Sequence, residues 1–317
     1  MLVASPLVGQ ITLTQQQVVD SAVMHSPMVS AAEYKLLSQH QLKKSAFNLP
    51  NPEVVAESPT GEFYTIGVLQ TFEFPSVYFK QRKVASQQEE LAITEKSITV
   101  NEARYQASVL YVQFQYLIAQ LEQLRVRDSL YEQLSSAANR MFAAGQMDFL
   151  EKTYAESQYG EVHLLFTGVK TDVDVIQQQL RILTGISTSF VPTPITKLSE
   201  VPGIIAMTSD SGLFIRNPLV DYYRRQNLLS TSMLSLEKQR ALPGFVLGYF
   251  NQGPMTTPIQ YRFRAGITVP LWFWQYSGNI RAARYQTLRS AQLYKANQQQ
   301  MSAQQVRAQG DYFKYKE

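Results

Sequence analysis

The side chains best suited to bind a metal or to move a proton are few and widely spaced along the chain. The three histidines are His25, His40 and His163, and none lies four residues from another, the spacing that places two imidazoles on one helix face. The chain has no cysteine, which excludes disulfides and thiolate ligands. The sequence therefore predicts no metal site, and His40 and His163 are interpreted as surface or packing residues.

Signatures of catalysis and of nucleic-acid binding are also missing from the sequence. It contains no glycine-rich phosphate loop and no nucleophile elbow. Glu89 and Glu90 are adjacent, so a helix would point the two carboxylates in different directions, unlike a catalytic pair. The net charge is only +4 and the basic residues are scattered, whereas a nucleic-acid surface clusters them. We predict that the chain is not an enzyme, binds no nucleic acid and carries no cofactor.

Two long helices are the dominant elements predicted from the sequence. From Ser76 to Ala144 there is neither proline nor glycine, which predicts a helix on the order of 100 Å long. Gly145 interrupts it, Asp148 or a neighbour is expected to begin the return helix, and Gly185 is expected to end that helix. The return helix has a heptad pattern. Such a narrow apolar seam packs one helix against its neighbours and does not bury a globular core. The seam residues are Val162, Phe166, Val169, Val173, Ile176, Leu180 and Leu183.

The stretch from Tyr261 to Phe273 has the alternating pattern of a strand with two different faces. One face is apolar and the other carries arginines, as in a transmembrane strand of about 9 to 11 residues. A strand of a soluble sandwich with one wet face shows the same alternation. We favour the membrane interpretation, partly because Trp272 and Trp274 would lie at the membrane interface. The predicted lipid-facing residues are Tyr261, Phe263, Ile267, Val269, Leu271 and Phe273, and the predicted lumen-facing residues are Arg262 and Arg264.

The chain is interpreted as an internal duplication in which one unit occurs twice, about 190 residues apart. In each copy a helical stretch begins at a proline, Pro27 or Pro218, and is followed by a Leu-Pro stop, a strand pair and a polar helix. The second long helix is not followed by a return helix, so the second hairpin is interpreted as truncated. The predicted organisation is a leader or signal remnant at 1–10, short helices at 11–50, a β-hairpin at 51–75, a long helical hairpin at 76–185, a linker at 186–212, helices at 213–243, a second β-hairpin at 244–274 and an incomplete long helix at 275–317.

The predicted turn of the long helical hairpin concentrates apolar side chains around Gly145. Exposed apolar clusters on polar elements usually mark a partner surface, although these side chains could also pack on one another to close the hairpin. We favour partner docking, and packing of these side chains on one another is compatible with it. The candidate docking residues at this tip, near 140–150, are Arg140, Met141, Phe142, Gly145, Met147, Phe149 and Leu150.

Three groups of residues carry a resemblance to a known family. They are the FNLPNPE segment at 47–53, the QTFEFP segment at 70–75 followed by Lys80, Arg82 and Lys83, and the RMFAAGQMDFL segment at 140–150. With the duplication, their order and spacing resemble the TolC family of outer-membrane efflux proteins over residues 12 to 317. The first two segments are most similar to the heavy-metal branch, the CusC/CzcC type.

The resemblance implies a mainly α fold with a small β part, in which long antiparallel coiled-coil helices accompany two β-hairpins per chain. Three protomers would form a homotrimer with a 12-stranded barrel in the outer membrane of a Gram-negative bacterium and an α-helical tunnel in the periplasm. The duct would pass substrate, heavy-metal cations in this branch, from an inner-membrane RND-type pump to the exterior. A periplasmic adaptor (membrane-fusion) protein would dock on the tip. The N-terminal cysteine that is lipidated in some members is absent, and Met141 stands where the tip usually carries tyrosine.

Elementary physics favours the same oligomer. Four strands are too few to close a barrel that has a lumen, and open sheet edges are not tolerated in lipid. The alternatives left open are a soluble structural coiled-coil protein with an adhesive β insert, and a duct for organic drugs instead of metals.

Overall fold

The computed structural model describes residues 11–58, 65–194, 217–251, 262–271 and 273–316. The predicted leader at 1–10 and most of the predicted linker therefore lie outside the described residues. In chain order the elements are β1 (Ile11–Leu13), α1 (Gln15–His25), α2 (Pro27–Lys44), β2 (Glu53–Glu57), β3 (Thr65–Phe72), α3 (Pro75–Ala143), α4 (Phe149–Thr184), β4 (Phe190–Pro192), α5 (Pro218–Arg240), β5 (Gly244–Asn251), β6 (Phe263–Thr268) and α6 (Phe273–Lys316).

The helix boundaries follow the signals predicted from the sequence. Thr14 caps α1 with a reciprocal capping box that also uses Gln17. Asp148 caps α4, and its carboxylate accepts a hydrogen bond from the amide of Glu151 at 2.7 Å. Gly185 ends α4 in the left-handed conformation, with φ of 70°. The 69-residue helix α3 spans almost the predicted range. Among the described residues, none of the helices has an apolar stretch that could cross a membrane.

The chain forms two compact units, one from Met1–Ala31 with Thr99–Val201 and the other from Ala32–Ile98 with Pro202–Glu317. The first unit has a helical core in which the predicted seam of α4 is buried against α3. Val173, Ile176 and Leu180 lie in this core with Phe114 of α3, so the prediction that the seam packs against neighbouring elements is confirmed. The sequence pattern therefore found the packing face of α4 correctly.

A short parallel pairing in the first unit departs from the prediction. β1 pairs with β4, so Ile11 lies opposite Phe190, where the sequence analysis expected helix and linker. The ring of Phe190 packs edge-on against Phe114 with centroids 5.8 Å apart. The Tyr111 hydroxyl donates a hydrogen bond to the carbonyl of Leu13 at 2.7 Å and accepts one from the amide of Thr193 at 3.0 Å. These tertiary contacts, which leave no local sequence pattern, hold the two strands.

The second unit contains both predicted β-hairpins in one antiparallel sheet of order β2-β3-β5-β6. The two hairpins meet where β3 pairs with β5. A separate helical core lies in the same unit and contains Val77 and Val84 of α3 with Leu229 and Leu236 of α5. The mainly helical fold with a small sheet part agrees with the predicted fold class.

The strand predicted from Tyr261 to Phe273 is shorter in the structure. β6 ends at Thr268, and α6 begins at Phe273. Pro270 lacks an amide donor and restricts the residue before it, which explains why the pairing stops there. Val269 and Leu271 are therefore outside the strand, and the prediction that they and Phe273 continue it is wrong. Tyr261 and Trp272 lie outside the described residues.

Candidate functional site: a two-faced sheet and a hairpin tip

The strand register divides the sheet of the second unit into two unlike faces. The first, which we call the apolar face, carries aliphatic and aromatic side chains on all four strands and is interrupted only by Gln70 and Asn251. Its two ends are well exposed, since Val54 on β2 and Ile267 on β6 have relative accessibilities of 72% and 66%. The apolar face consists of Val54, Ala56, Ile66, Val68, Phe72, Phe245, Leu247, Tyr249, Phe263, Ala265 and Ile267.

Two of the six predicted lipid-facing residues, Phe263 and Ile267, lie on the apolar face of β6, and both are exposed. Contiguous apolar surface of this kind on a folded chain marks contact with another protein or with a membrane. Val269 and Leu271 are exposed as well, although they lie in the connection after β6. Whether this surface contacts lipid stays a prediction.

The opposite face, which we call the mixed face, combines charged, small and aromatic residues. Here the ring of Phe250 is fully buried, and the guanidinium carbon of Arg264 lies 3.9 Å from its centroid, within cation–π range. Gly67 and Gly248 lie beneath that ring, since a Cβ at Gly67 would overlap it and one at Gly248 would lie 3.3 Å from it. Two glycines thus allow an aromatic ring to lie flat on the sheet, where it supports the arginine.

Arg262, the other predicted lumen residue, lies immediately before β6. Its Nη1 donates a hydrogen bond to Oδ1 of Asn251 at 2.9 Å, which ties it to the end of β5. Both arginines were predicted from the sequence, whereas Phe250, Gly67 and Gly248 were not. Glycines inside strands indicate a close approach of another group, and that signal was available.

The two outer strands of this sheet, β2 and β6, have a sheet partner on one side only within the described part of the chain. Such edges expose backbone donors and acceptors and readily pair with another strand. Charges differ between the two edges: on the mixed face, β2 carries Glu53 and Glu57, and β6 carries Arg264.

The hairpin tip in the first unit is built by a helix C-cap with a left-handed glycine. The amide of Gln146 donates to the carbonyl of Met141 at 2.9 Å, and the amide of Gly145 donates to that of Phe142 at 3.0 Å. Gly145 has φ of 69°. This is the Schellman arrangement, in which glycine is strongly preferred because a side chain would strain the backbone. The predicted role of Gly145 in reversing the chain is confirmed.

Part of the apolar cluster at the tip packs on itself. The rings of Phe142 and Phe149 meet edge-on with centroids 6.2 Å apart, and Nζ of Lys152 lies 5.2 Å from the Phe142 centroid. Met147 is half-buried. The remaining surface is open: Phe149 and Leu150 have relative accessibilities of 68% and 76%, and Arg140 and Met141 are exposed beside them. The tip therefore closes itself and still presents an apolar surface, which is compatible with docking.

Charged side chains connect the helices of the second unit. Glu89 of α3 accepts hydrogen bonds from Lys43 and His40 of α2, each at 2.6 Å, and these bonds lower the pKa of Glu89. Burial acts to raise the pKa of Asp221 on α5, but hydrogen bonds from Arg225 and Arg224 outweigh it and lower the pKa. These pairs hold helices together, and nothing in their geometry indicates catalysis.

The histidines occupy separate positions, as expected. In the first unit, Nδ1 of His163 lies 3.0 Å from Oδ1 of Asp128, and Nδ1 of His25 lies 2.9 Å from the carbonyl of Ser21. Across the part of the chain that the structure describes, no group of three or more metal-ligating side chains could hold a metal ion.

Comparison with known proteins identifies the fold. No family model and no curated protein matches the sequence. Among solved structures, the chain is similar to the outer-membrane channel OprN, with 12% identity, a TM-score of 0.78, and coverage of 95% of this chain and 74% of that one. It is also similar to the Campylobacter jejuni outer membrane channel CmeC, with 12% identity, a TM-score of 0.72, and coverage of 89% and 67%.

A third similar structure is CusC, described in connection with transmembrane channel formation, with 13% identity, a TM-score of 0.72, and coverage of 95% and 76%. The chain thus has the fold of outer-membrane channel proteins, as its resemblance to the TolC family predicted. The TM-score with CusC does not exceed those with OprN and CmeC, and the identities differ by one percentage point, so the heavy-metal branch is not distinguished.

Proposed function

We propose that the chain is the outer-membrane exit duct of a tripartite efflux system and acts as a homotrimer. The observation that carries the proposal is the sheet with an exposed apolar face on all four strands and edge strands at both sides. Water disfavours such a face, and a lipid bilayer does not tolerate the open edges. The likeness in fold to several outer-membrane channels supports the same conclusion.

Three chains together can place the apolar face in lipid and pair every open strand edge. Twelve strands can close into a barrel that removes every edge, with the apolar face toward lipid and the mixed face toward a water-filled lumen. Phe263 and Ile267 would then contact lipid, and Arg262 and Arg264 would line the lumen. The helical hairpins would extend into the periplasm of a Gram-negative bacterium as a tunnel.

The tip is the proposed docking surface for a periplasmic adaptor, which connects the duct to an inner-membrane RND-type pump. The exposed apolar surface around Phe149 and Leu150 supports this assignment. The duct itself is passive, and the pump supplies the energy. The sequence resemblance of residues 47–83 makes heavy-metal cations the first cargo to test, with organic drugs as the alternative.

The proposal is tested in a host that lacks its own outer-membrane duct. Complementation with this gene together with genes for a heavy-metal RND-type pump and its adaptor should restore resistance to silver, copper, zinc or cobalt salts, and the protein should fractionate with the outer membrane. Resistance restored only to dyes and antibiotics would reassign the cargo to organic compounds. Recovery of the protein from the soluble fraction, with no resistance restored, would favour the structural coiled-coil alternative.

A further inference from the structure

The two edges of the sheet are similar in length and opposite in charge, with Glu53 and Glu57 on β2 and Arg264 on β6. We propose that β2 of one copy pairs antiparallel with β6 of the next, in the register that sets Glu57 opposite Arg264. This inference rests on the proposed function, and it adds the register of the pairing between copies and the ion pair that selects this register. The occupant of each edge is thus a second copy of this chain.

The two-faced character of the sheet restricts the register first. If the apolar face is to continue across the new pairing, Val54 and Ala56 must lie opposite members of the Phe263, Ala265 and Ile267 set. A shift of one residue would turn every side chain of one strand to the wrong face. Only shifts of two residues therefore remain to be compared.

The lengths of the strands favour one of the remaining registers. With Glu57 opposite Arg264, the five residues of β2 face residues 264–268 of β6, so the overlap is complete. On the apolar face Val54 meets Ile267 and Ala56 meets Ala265. On the mixed face Val55 meets Gly266 and Glu53 meets Thr268. A register two residues away would set Arg264 opposite Val55 in one direction, and past the end of β2 at Glu57 in the other.

Charge favours the same register. Opposite charges directly across two strands stabilise the pairing, and a guanidinium can hold a carboxylate through two parallel hydrogen bonds. The guanidinium of Arg264 is already held in place by the ring of Phe250, so less side-chain freedom is lost on pairing. The register two residues away sets Glu57 opposite Arg262 instead, but the Nη1 of Arg262 already donates to Oδ1 of Asn251. That register therefore gives up the cation that Phe250 positions.

Barrel geometry provides an independent check. Within one chain, Arg264 lies in a row with Gly248, Leu69 and Glu53 across the sheet. In the proposed register the row continues from Arg264 to the next copy's Glu57, four residues further along β2. Three copies then give a stagger of about 12 residues over 12 strands. With a rise of about 3.3 Å per residue and strands about 4.8 Å apart, the strand tilt is about 35°, within the range of closed barrels.

Cysteine cross-linking tests the register directly, because the chain contains no cysteine of its own. The full chain carrying Glu57→Cys and Arg264→Cys should give disulfide-linked dimers and trimers in isolated outer membranes treated with an oxidant. The control pair Val55→Cys with Arg264→Cys should cross-link at least about tenfold less, because those positions lie on a diagonal about 7 Å apart in the proposed register. Preferential cross-linking of the control pair would overturn the register.

Charge reversal tests the ion pair. Glu57→Arg and Arg264→Glu should each reduce the yield of trimer, and the two together should restore it. A favourable cross-strand pair shifts an equilibrium by about 1.5- to 5-fold, so three pairs per trimer predict a loss of about 3- to 100-fold. Glu53→Arg is the matched control, since Glu53 lies on the same face of the same strand but opposite Thr268, and it should change the yield less than twofold.

The failures of the two proposals are distinguishable. If the wild-type chain forms no trimer in the outer membrane, the proposed function is wrong. If trimers form but the double reversal yields no more trimer than the single variants, the ion pair is wrong while the duct stands.

Discussion

The seam of α4 and the apolar face of the sheet carry similar side chains in opposite situations. In the first unit Leu180 is fully buried and Val173 nearly so, because α3 covers the seam within the same chain. In the second unit Ile267 and Phe263 are mostly exposed. One apolar surface is satisfied by folding alone, and the other requires a partner or a solvent that a single chain does not provide. The comparison distinguishes the apolar surface that one chain buries by folding from the apolar surface that only assembly or a membrane can cover.

The largest effect is expected from placing a charge on the apolar face. Ile267→Arg should abolish membrane assembly, because a cation on the lipid face of a barrel strand costs up to about 2–4 kcal/mol in each of the three copies. Trimer yield in the outer-membrane fraction measures it. Thr268→Arg, one residue further on the mixed face, is the matched control and should assemble. Normal trimers from Ile267→Arg would mean that this face does not contact lipid.

A truncation in the seam should act on the first unit by itself. Leu180→Ala removes a fully buried side chain and should destabilise the helical core by about 3–5 kcal/mol. Thermal melting followed by circular dichroism in detergent should show a lower midpoint. Ile182→Ala, on the same helix with 85% of its surface exposed, should change stability by less than about 0.5 kcal/mol. Equal effects from the two variants would contradict the seam assignment.

On the mixed face, Gly67→Ala should disturb the Phe250 ring, because the added Cβ would overlap it. Overpacking of this kind lowers the free energy of unfolding by about 1–3 kcal/mol. Gly168→Ala on α4 is the control, since a Cβ there would meet nothing within 4 Å. The heat stability of the trimer on unboiled gels compares the two. If Gly168→Ala proves the more harmful, the ring does not lie over Gly67.

At the tip, Phe149→Asp should weaken adaptor binding about tenfold, as for loss of one exposed apolar contact of about 1–2 kcal/mol, and leave trimers intact. Phe149→Leu keeps an apolar group and should bind almost normally. Binding of the purified cognate adaptor to immobilised trimer measures both. Unchanged affinity for Phe149→Asp would remove Phe149 from the docking surface.

The smallest effect concerns pH. The hydrogen bonds from Lys43 and His40 lower the pKa of Glu89 in the folded chain below its unfolded value of about 4.3. The ionised Glu89 therefore stabilises the folded chain above about pH 4.3, and this contribution is lost as the pH falls through the lowered folded pKa. The difference in melting temperature between wild type and Glu89→Gln should therefore shrink between about pH 6 and pH 3. A difference that stays constant would show that the carboxylate charge does not contribute.

The features predicted correctly from the sequence depend on residues that are close together along the chain. The capping by Asp148, the helix ends at Gly145 and Gly185 and the seam of α4 all follow from local chemistry or a 3.6-residue period. The pairing of β1 with β4 was missed because it joins three-residue segments almost 180 residues apart through the contacts of Phe190 and Tyr111. The stacking of Arg264 on Phe250 was missed for a similar reason, since it requires the register between β5 and β6.

The central claim is that three copies complete one sheet, and native mass spectrometry of the protein extracted from outer membranes in mild detergent tests it most directly. The account predicts a mass three times that of the single chain, which falls to the single-chain mass only on boiling. A single-chain mass in the unheated sample, from protein recovered without detergent, would contradict it.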